Sequence, residues 1–385
     1  MNKNKNTPAV VARTLTDDFL SRTGISNAAG DPAQRYLWTD SFAVQCCFAL
    51  SNLLNSAAYQ KKALKLIDQV HHTLGRHRPD DTRKGWISGL SETEGKIHPT
   101  TGGLRIGKKL PERTRDEPFN QRLEWERDGQ YFHYLTRWFN ALLLAQHETG
   151  KKTYGLWASE LMEASRSFVH HDNGLYRMYW KMNIDLSEPV ITSMGAHDPL
   201  EGLVSTISAM IAAPESRPLL EILEQEMKSI CGGMDWFTTD ALGIGGLLLN
   251  AAKTTELRAR GVQLPACIRP EYLISEAVAG LRAYSMHVYD SLQPADMRLA
   301  FRECGLSLGI RVLYGLKDRN DSVEFDLNSL KEYTGLAGEI EDFWSKPSNQ
   351  LSPTWTEHLD INCISLASSL LARDYPQAFC PTSEI

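Results

Sequence analysis

Hydrophobic side chains recur along this chain with helical spacing, and they define two kinds of segment. The first kind carries an apolar stripe on one side and charged residues on the other, as an amphipathic helix at a protein surface does. In residues 59–75, Leu66 and Val70 share one stripe, whereas Lys62 and Lys65 lie on the opposite face. Segments of this kind span residues 8–21, 59–75, 153–171, 217–231, 270–283 and 328–344.

The second kind of segment is apolar on nearly all sides and rich in small residues. A helix with this pattern has to be buried on all sides, and its glycines and alanines let neighbouring helices approach closely. Residues 241–252 (ALGIGGLLLNAA) and 361–372 (INCISLASSLLA) are the clearest examples. Segments of the second kind span residues 38–54, 128–147, 198–211, 240–252, 297–315 and 358–371.

The two kinds of segment alternate six times along the chain. Strand signals are sparse, so we predict an all-α fold. Buried helices inside a ring of amphipathic ones describe an (α/α)6 barrel, or toroid, of six inner and six outer helices, which we expect to form a single domain over residues 1–385. An irregular helical domain or a solenoid is the alternative, because no repeat of fixed period is visible. We expect a long rim loop at about residues 76–127.

Composition narrows the classes of function. The 385 residues carry a net charge of −6, which provides no basic surface for nucleic acid. No run of about 18 apolar residues is present, so we expect no membrane span, and the polar start predicts no signal peptide. The seven cysteines are scattered, and no pair has CxxC spacing. We therefore expect reduced thiols, a cytoplasmic location and neither a metal nor another cofactor.

The starts of the six inner segments share aromatic, acidic and basic side chains. If the inner helices run parallel inside a ring, these side chains converge on one cavity. Indole rings stack on the apolar faces of sugars, and the polar groups hydrogen-bond to hydroxyls, so we expect a small-molecule substrate that is a carbohydrate. The alternative is that the acidic residues only cap their helices. The predicted substrate-binding residues are Trp38, Asp40, Trp125, Tyr131, His133, His197, Glu201, Trp236, Asp240, Arg302, Glu303, Trp355 and Asp360.

Three stretches together give the chain a resemblance to the six-hairpin glycosidase-like superfamily. They are residues 36–40 (YLWTD), 128–138 (DGQYFHYLTRW) and 299–305 (LAFRECG). The resemblance is one of architecture and of local sequence pattern, and it implies the (α/α)6 toroid. It also implies an activity like that of the glycoside hydrolases or the N-acylglucosamine 2-epimerases of that superfamily. The glycosidase pattern implies two carboxylates, and the epimerase pattern implies two facing histidines, roles that His197 and His358 fill by pseudo-symmetry.

Our first hypothesis is hydrolysis of a glycoside. This reaction needs one carboxyl group of raised pKa as acid and a second carboxylate as base or nucleophile. We assign Asp128 and Asp198 to this pair, with Glu201 and Asp240 in reserve. We count His358 as a third catalytic residue.

Three other hypotheses stay open. Epimerisation or isomerisation of a sugar needs a base on each face of a carbon atom, which His197 and His358 would supply. Cyclisation of an isoprenoid needs an aspartic acid that protonates an alkene, but no DxDD run is present. The last hypothesis is that the chain binds a sugar without catalysing a reaction. In the rim loop, Arg105 and Lys108 are candidate contacts for an anion.

Overall fold

The structure, a computed structural model, describes residues 7–26, 34–114, 116–317 and 328–381. Within these ranges the chain is mainly helical. The α-helices are, in chain order, α1 Pro8–Arg22, α2 Leu37–Leu53, α3 Ala57–Leu74, α4 Glu92–Ile97, α5 Gln121–Glu126, α6 Phe132–Thr149, α7 Lys152–Ser165, α8 Asp198–Ala212, α9 Arg217–Cys231, α10 Ala241–Ala259, α11 Pro270–His287, α12 Ala300–Lys317, α13 Asn328–Lys331, α14 Thr334–Trp344, α15 Pro353–Thr356 and α16 Leu359–Ala372.

Short strands lie between α5 and α8. They form a hairpin of β2 with β3 and an antiparallel sheet in the order β1-β4-β5. In that sheet, Gln130 lies opposite Met182 and Tyr131 opposite Lys181. The strands are β1 Gln130–Tyr131, β2 Val169–Asp172, β3 Leu175–Met178, β4 Lys181–Met182 and β5 Pro189–Ile191.

Helices occupy all twelve segments that the hydrophobic pattern predicts. The segment 328–344 is divided between α13 and α14, and the other eleven each hold one long helix. Proline stands in the first turn of α1, α8, α9 and α11, where its missing N–H has no helical partner to lose. The helical class is therefore confirmed, whereas closure of the helix pairs into a ring stays a prediction.

Two predicted boundaries are wrong because strands take the residues concerned. The second inner helix begins at Phe132 rather than at residue 128, since the two residues before it pair with β4. The outer helix predicted over 153–171 ends at Ser165, and a 3-10 turn over Arg166–Phe168 leads into β2. Asn173 and Gly174 join β2 to β3 with φ angles of 49° and 81°. Asn-Gly is the preferred sequence for a two-residue hairpin loop, so the signal for this hairpin was present and was overlooked.

The predicted rim loop carries structure of its own. Helix α4 begins with a capping box, in which the Ser91 side chain accepts from the Glu94 N–H and the Glu94 carboxylate accepts from the Ser91 N–H. The Asn120 side chain caps α5 in the same way, by accepting from the N–H groups of Arg122 and Leu123. The expectation of a single long loop over 76–127 is therefore corrected to short helices joined by turns.

The chain divides into two compact units, which are described separately. Unit 1 lies within Met1–Ala29, Gln45–Lys62 and Asp235–Pro381, and unit 2 within Gly30–Val44 and Ala63–Met234. Helices α2 and α3 each contribute residues to both units.

In unit 1, α12 packs against α10, α14 and α16, while α1 packs on α16 and α11 on α10. A Cβ atom on Gly245 of α10 would lie 2.2 Å from the Gly305 carbonyl oxygen of α12. Only glycine permits this approach. The inference that small residues bring the apolar helices together is confirmed for this pair.

In unit 2, α6 packs on α7 and α8, α7 on α8, and α8 on α9. The core includes the fully buried Trp138 and an edge-to-face pair of Phe132 with Phe168 at 5.6 Å. Trp138 donates through Nε1 to Nε2 of His71, which is buried as well. None of the described helices, in either unit, is long and apolar enough to cross a lipid bilayer.

Candidate active site

Asp198 opens helix α8 in unit 2 and is the least satisfied acidic group of the predicted set. Its side chain is 10% exposed, and its Oδ2 atom is buried with no hydrogen-bond partner among the described residues. The backbone at Gly195 lies directly against the carboxyl group, because a Cβ atom there would be 2.5 Å from Oδ2. A buried polar atom without a partner costs about 1–3 kcal/mol, so this placement needs an explanation.

His133, in the first turn of α6, faces this carboxyl group. Its Nδ1 atom lies 3.9 Å from Oδ1 of Asp198, and Nδ1 too is buried without a partner in the described part of the chain. The distance is too long for a direct hydrogen bond. One water molecule or one substrate hydroxyl could bridge the imidazole and the carboxyl group and provide the missing partner of Nδ1.

Aromatic rings surround His133. Tyr131 stacks on the imidazole at 5.3 Å, and Tyr134 meets it edge-on at 4.8 Å. Trp180 lies 6.3 Å from the imidazole and 5.2 Å from Trp125, to which it is perpendicular. Both indoles are only half-buried. Parts of these rings are therefore available to a ligand.

The three-stranded sheet places Trp180. The Trp180 N–H group donates to the carbonyl oxygens of Ile191 and Ser193, at 3.0 and 2.8 Å. The next residue, Lys181, is fully buried opposite Tyr131, and its ammonium group donates to the carbonyl oxygens of Glu124 and Arg127. Lys181 thus fixes the strand rather than reaching a ligand.

Glu201 follows Asp198 by three residues on α8 and has a cationic partner. Arg137 donates to its Oε1 atom, and the Thr136 hydroxyl donates to Oε2 at 2.9 Å. The Arg137 guanidinium also lies 6.0 Å from the ring of Phe42. Helices α6 and α8 therefore bring a carboxylate with a cationic partner next to a carboxyl group that has none.

Burial separates the protonation states of these groups. Desolvation, with a smaller contribution from Glu201, raises the pKa of Asp198 to about 8. Desolvation also lowers the pKa of His133 to about 4. At neutral pH, Asp198 is therefore a protonated acid and His133 a neutral imidazole. Such a pair of environments is typical of acid–base sites.

Asp128, the other member of the predicted carboxylate pair, is surrounded by hydrogen-bond donors. Its side chain is fully buried, and Oδ2 accepts from Arg105 at 2.5 Å and from Arg78 at 3.3 Å. Oδ1 accepts from the N–H groups of Gly107 and Lys108. A carboxylate with four donors has no free lone pair for a substrate. The assignment of Asp128 to catalysis stays a prediction, and these contacts make Asp198 the better candidate for the acid.

The two rim-loop cations proposed as anion contacts are also engaged. Arg105 donates to the carbonyl oxygens of Arg76 and Thr73 besides Asp128. The Lys108 ammonium group donates to the carbonyl oxygen of Trp125.

The remaining predicted residues of unit 2 lie at helix starts. Asp40 is buried, accepts from the Tyr36 N–H at 3.0 Å, and lies 3.5 Å from the guanidinium of Arg35. Trp38 packs on Phe42 at 4.6 Å. His197 is half-buried at the N-cap of α8.

Unit 1 gathers three other predicted residues around a separate cleft. Asp240 caps α10 by accepting from the Gly243 N–H at 2.9 Å, and it pairs with Arg302 of α12. Glu303 is buried and pairs with Arg298 at 2.7 Å. Four of the residues just named line this cleft: Asp240, Arg298, Arg302 and Glu303.

The last four predicted residues of unit 1 have other positions. Trp236 is fully buried and donates to the Cys267 carbonyl oxygen, and Trp355 is a core residue. His358 is exposed at the N-cap of α16. Asp360 pairs with Arg22 at 2.8 Å on the surface.

Sequence reasoning missed several contributors to the site of unit 2. Arg137 lies one helical turn after His133, a spacing that places both on one face of α6. Trp180 and Gly195 follow the overlooked hairpin, so no local pattern connected them with α6. The sequence does place Trp180 close to the Asn-Gly turn as an aromatic residue that could have been considered for the site. No sequence pattern marks Gly195.

Among the described residues, no group of three histidine, cysteine or acidic side chains is arranged to hold a metal ion. A scan against models of known protein families gives no match to this chain, and a search of the curated proteins gives none either.

Proposed function

We propose that this chain hydrolyses a glycosidic bond and that Asp198 donates the proton to the leaving oxygen. The observation that carries the proposal is the buried, unpartnered Oδ2 atom of Asp198. The other carboxyl oxygen, Oδ1, lies 3.9 Å from the unpartnered Nδ1 atom of His133, which aromatic rings surround. A protonated carboxyl group is the acid that glycoside cleavage requires.

Glu201 replaces Asp128 as the second carboxylate in this proposal. With Arg137 and Thr136 donating to its carboxylate oxygens, Glu201 would stabilise positive charge at the anomeric carbon as the bond breaks. The proton passes from Asp198 to the leaving oxygen, and water adds to the sugar. The proton released by that water is taken up by Glu201 and later restores Asp198.

The aromatic wall supports a sugar as substrate. The indoles of Trp125 and Trp180 are half-buried and perpendicular to one another, so they offer two stacking surfaces to an apolar ring face. His133 is neutral at pH 7 and lies next to the acid. It would orient the substrate hydroxyl that bridges the two groups.

The test compares leaving groups. An aryl glycoside with a good leaving group needs no acid, whereas a methyl glycoside or an oligosaccharide does. In the Asp198→Asn variant, kcat/KM for the unactivated substrates should fall by about 10²–10⁴, and that for the activated ones should fall far less. Asp68→Asn, which alters an exposed aspartate of α3, is the matched control. Equal losses on both substrate classes, or no loss, would contradict the acid role.

A second candidate is isomerisation of a sugar. It is favoured by His133, a neutral imidazole whose Nδ1 atom has no partner in the described part of the chain. The histidines first suggested for this reaction lie in different units, His197 in unit 2 and His358 in unit 1. Deuterium incorporation from solvent into a reducing sugar, without hydrolysis of any glycoside, would select this reaction.

The alternation of apolar and amphipathic helices supports two wider proposals. The first is that the helix pairs close into an (α/α)6 toroid that forms one domain, which a crystal structure would test. The second is a cytoplasmic location, which the seven free cysteines support. Thiol titration of the protein purified under non-reducing conditions would check the state of those residues.

A further inference from the structure

Unit 1 contains a cleft of its own, with a volume of about 190 Å³. It lies between the starts of α10 and α12 and the segment that follows α11. A cleft of this size suits a small ligand rather than an extended one.

The floor of the cleft is built from a fixed ion pair. Arg298 binds both carboxylate oxygens of Glu303, and the Trp344 indole donates to Glu303 Oε2 at 2.8 Å. The guanidinium of Arg298 also lies 3.8 Å from the ring centre of Phe343. With both charges paired and the guanidinium stacked on an aromatic ring, the floor is rigid before any ligand arrives.

The rim of the cleft is polar and accessible. Arg302 and Asp240 pair across it, and their side chains are 42% and 41% exposed. The Arg302 guanidinium uses only one N–H group in this pair, and the described residues provide no further acceptor for the others. Arg302, which lines the cleft, therefore has N–H donors left for a ligand.

An aromatic wall completes the cleft. Tyr284 and Tyr289 lie 5.8 Å apart with their rings inclined at 37°. The two arginines of the cleft are each neutralised by a carboxylate, and Asp290 adds one more negative charge. This balance disfavours an anion.

We propose that this cleft binds a single neutral sugar ring, which stacks on Tyr289 and hydrogen-bonds to Arg302 and Asp240. The cleft is distinct from the acid site of unit 2, and the inference rests on the proposed function only for the class of ligand. The geometry that carries it is the combination of a rigid charged floor, an aromatic wall and unused guanidinium donors.

The experiment isolates this cleft by first weakening the other site. In the full-length Trp180→Ala protein, from which part of the aromatic wall of unit 2 is removed, binding of four methyl glycosides is measured by titration calorimetry and saturation-transfer NMR. The four probes are methyl glucoside, galactoside, mannoside and N-acetylglucosaminide. We expect saturable binding of at least one.

In the same background, Arg302→Met and Tyr289→Leu should each weaken that binding at least tenfold. Arg258→Met is the matched control, because Arg258 forms an exposed pair with Glu271 elsewhere in unit 1. It should leave the affinity unchanged. Circular dichroism melting confirms that each variant is folded, and Trp125→Ala replaces Trp180→Ala if the latter is not.

Two outcomes would overturn the inference: no saturable binding of any probe, or binding that Arg302→Met and Tyr289→Leu leave intact. Neither outcome affects the acid role, which is read from hydrolysis by Asp198→Asn. Conversely, loss of the acid role would leave binding in this cleft untouched, so the two proposals fail separately.

Discussion

Replacing Asp198 with asparagine removes a titrating group while keeping nearly the same shape. The raised pKa of about 8 means that the folded state retains a proton that the unfolded chain, with a pKa of about 4 for aspartate, releases. Between these two values, folding takes up one proton. The stability of the wild type therefore falls as pH rises through this window, and asparagine has no proton to lose.

The size of the effect follows from the shift. Each pKa unit corresponds to about 1.4 kcal/mol, and pH 7 lies about three units above the unfolded value. Since the side chain is only 10% exposed, solvent screening removes little of this. The variant should gain about 4 kcal/mol relative to the wild type between pH 4 and pH 7, and it should be the more stable protein at pH 8.

Urea unfolding of both proteins, followed by tryptophan fluorescence at pH 4, 5, 6, 7 and 8, measures this difference. The titration of His133 is common to both proteins and cancels to first order. The infrared spectrum offers a direct check, because a protonated carboxyl band at pH 7 should be present in the wild type and missing in Asp198→Asn. A stability difference that does not change with pH, or an ionised Asp198 at pH 7, would refute the reasoning. The Asp68→Asn control should show neither effect.

Two further predictions concern the neighbours of this site. Asp128→Asn should lower the unfolding free energy by about 3–5 kcal/mol in a thermal or urea assay, because it leaves Arg105 buried without its carboxylate. Asp80→Asn is the control, since 54% of the Asp80 side chain is accessible in its ion pair. It should cost less than about 1 kcal/mol in the same assay. Gly195→Ala should abolish turnover, because the new Cβ would lie 2.5 Å from Asp198 Oδ2 and would displace the carboxyl group. Unchanged kcat/KM in a folded variant would show that the position of this carboxyl group does not matter.

The helices were predictable because their signal is local. Each stripe of apolar residues repeats within one segment, so the positions of α3 and α10 followed from the sequence alone. The hairpin of β2 and β3 had a local signal too, in Asn173 and Gly174, but its strands are too short to show much alternation. The start of α6 was misplaced because Tyr131 pairs with a residue fifty positions away.

The candidate site was only partly predictable. The sequence indicated that Asp198 and His133 open inner helices, and both are in the site. It could not rank Asp198 above Asp128, because both are acidic residues near the start of a buried helix. Their difference lies in partners that come from elsewhere in the chain, such as Arg78 and Arg105 for Asp128.

The sequence by itself determined the approximate positions of the long helices and which of them are buried, because the periodicity that marks each helix is set by neighbouring residues. Only the tertiary structure decided which carboxyl group is removed from water without receiving a hydrogen-bond donor in exchange. That choice sets the protonation state of Asp198 and distinguishes it from Asp128. It depends on burial and on contacts between segments far apart in the chain, which no local pattern records.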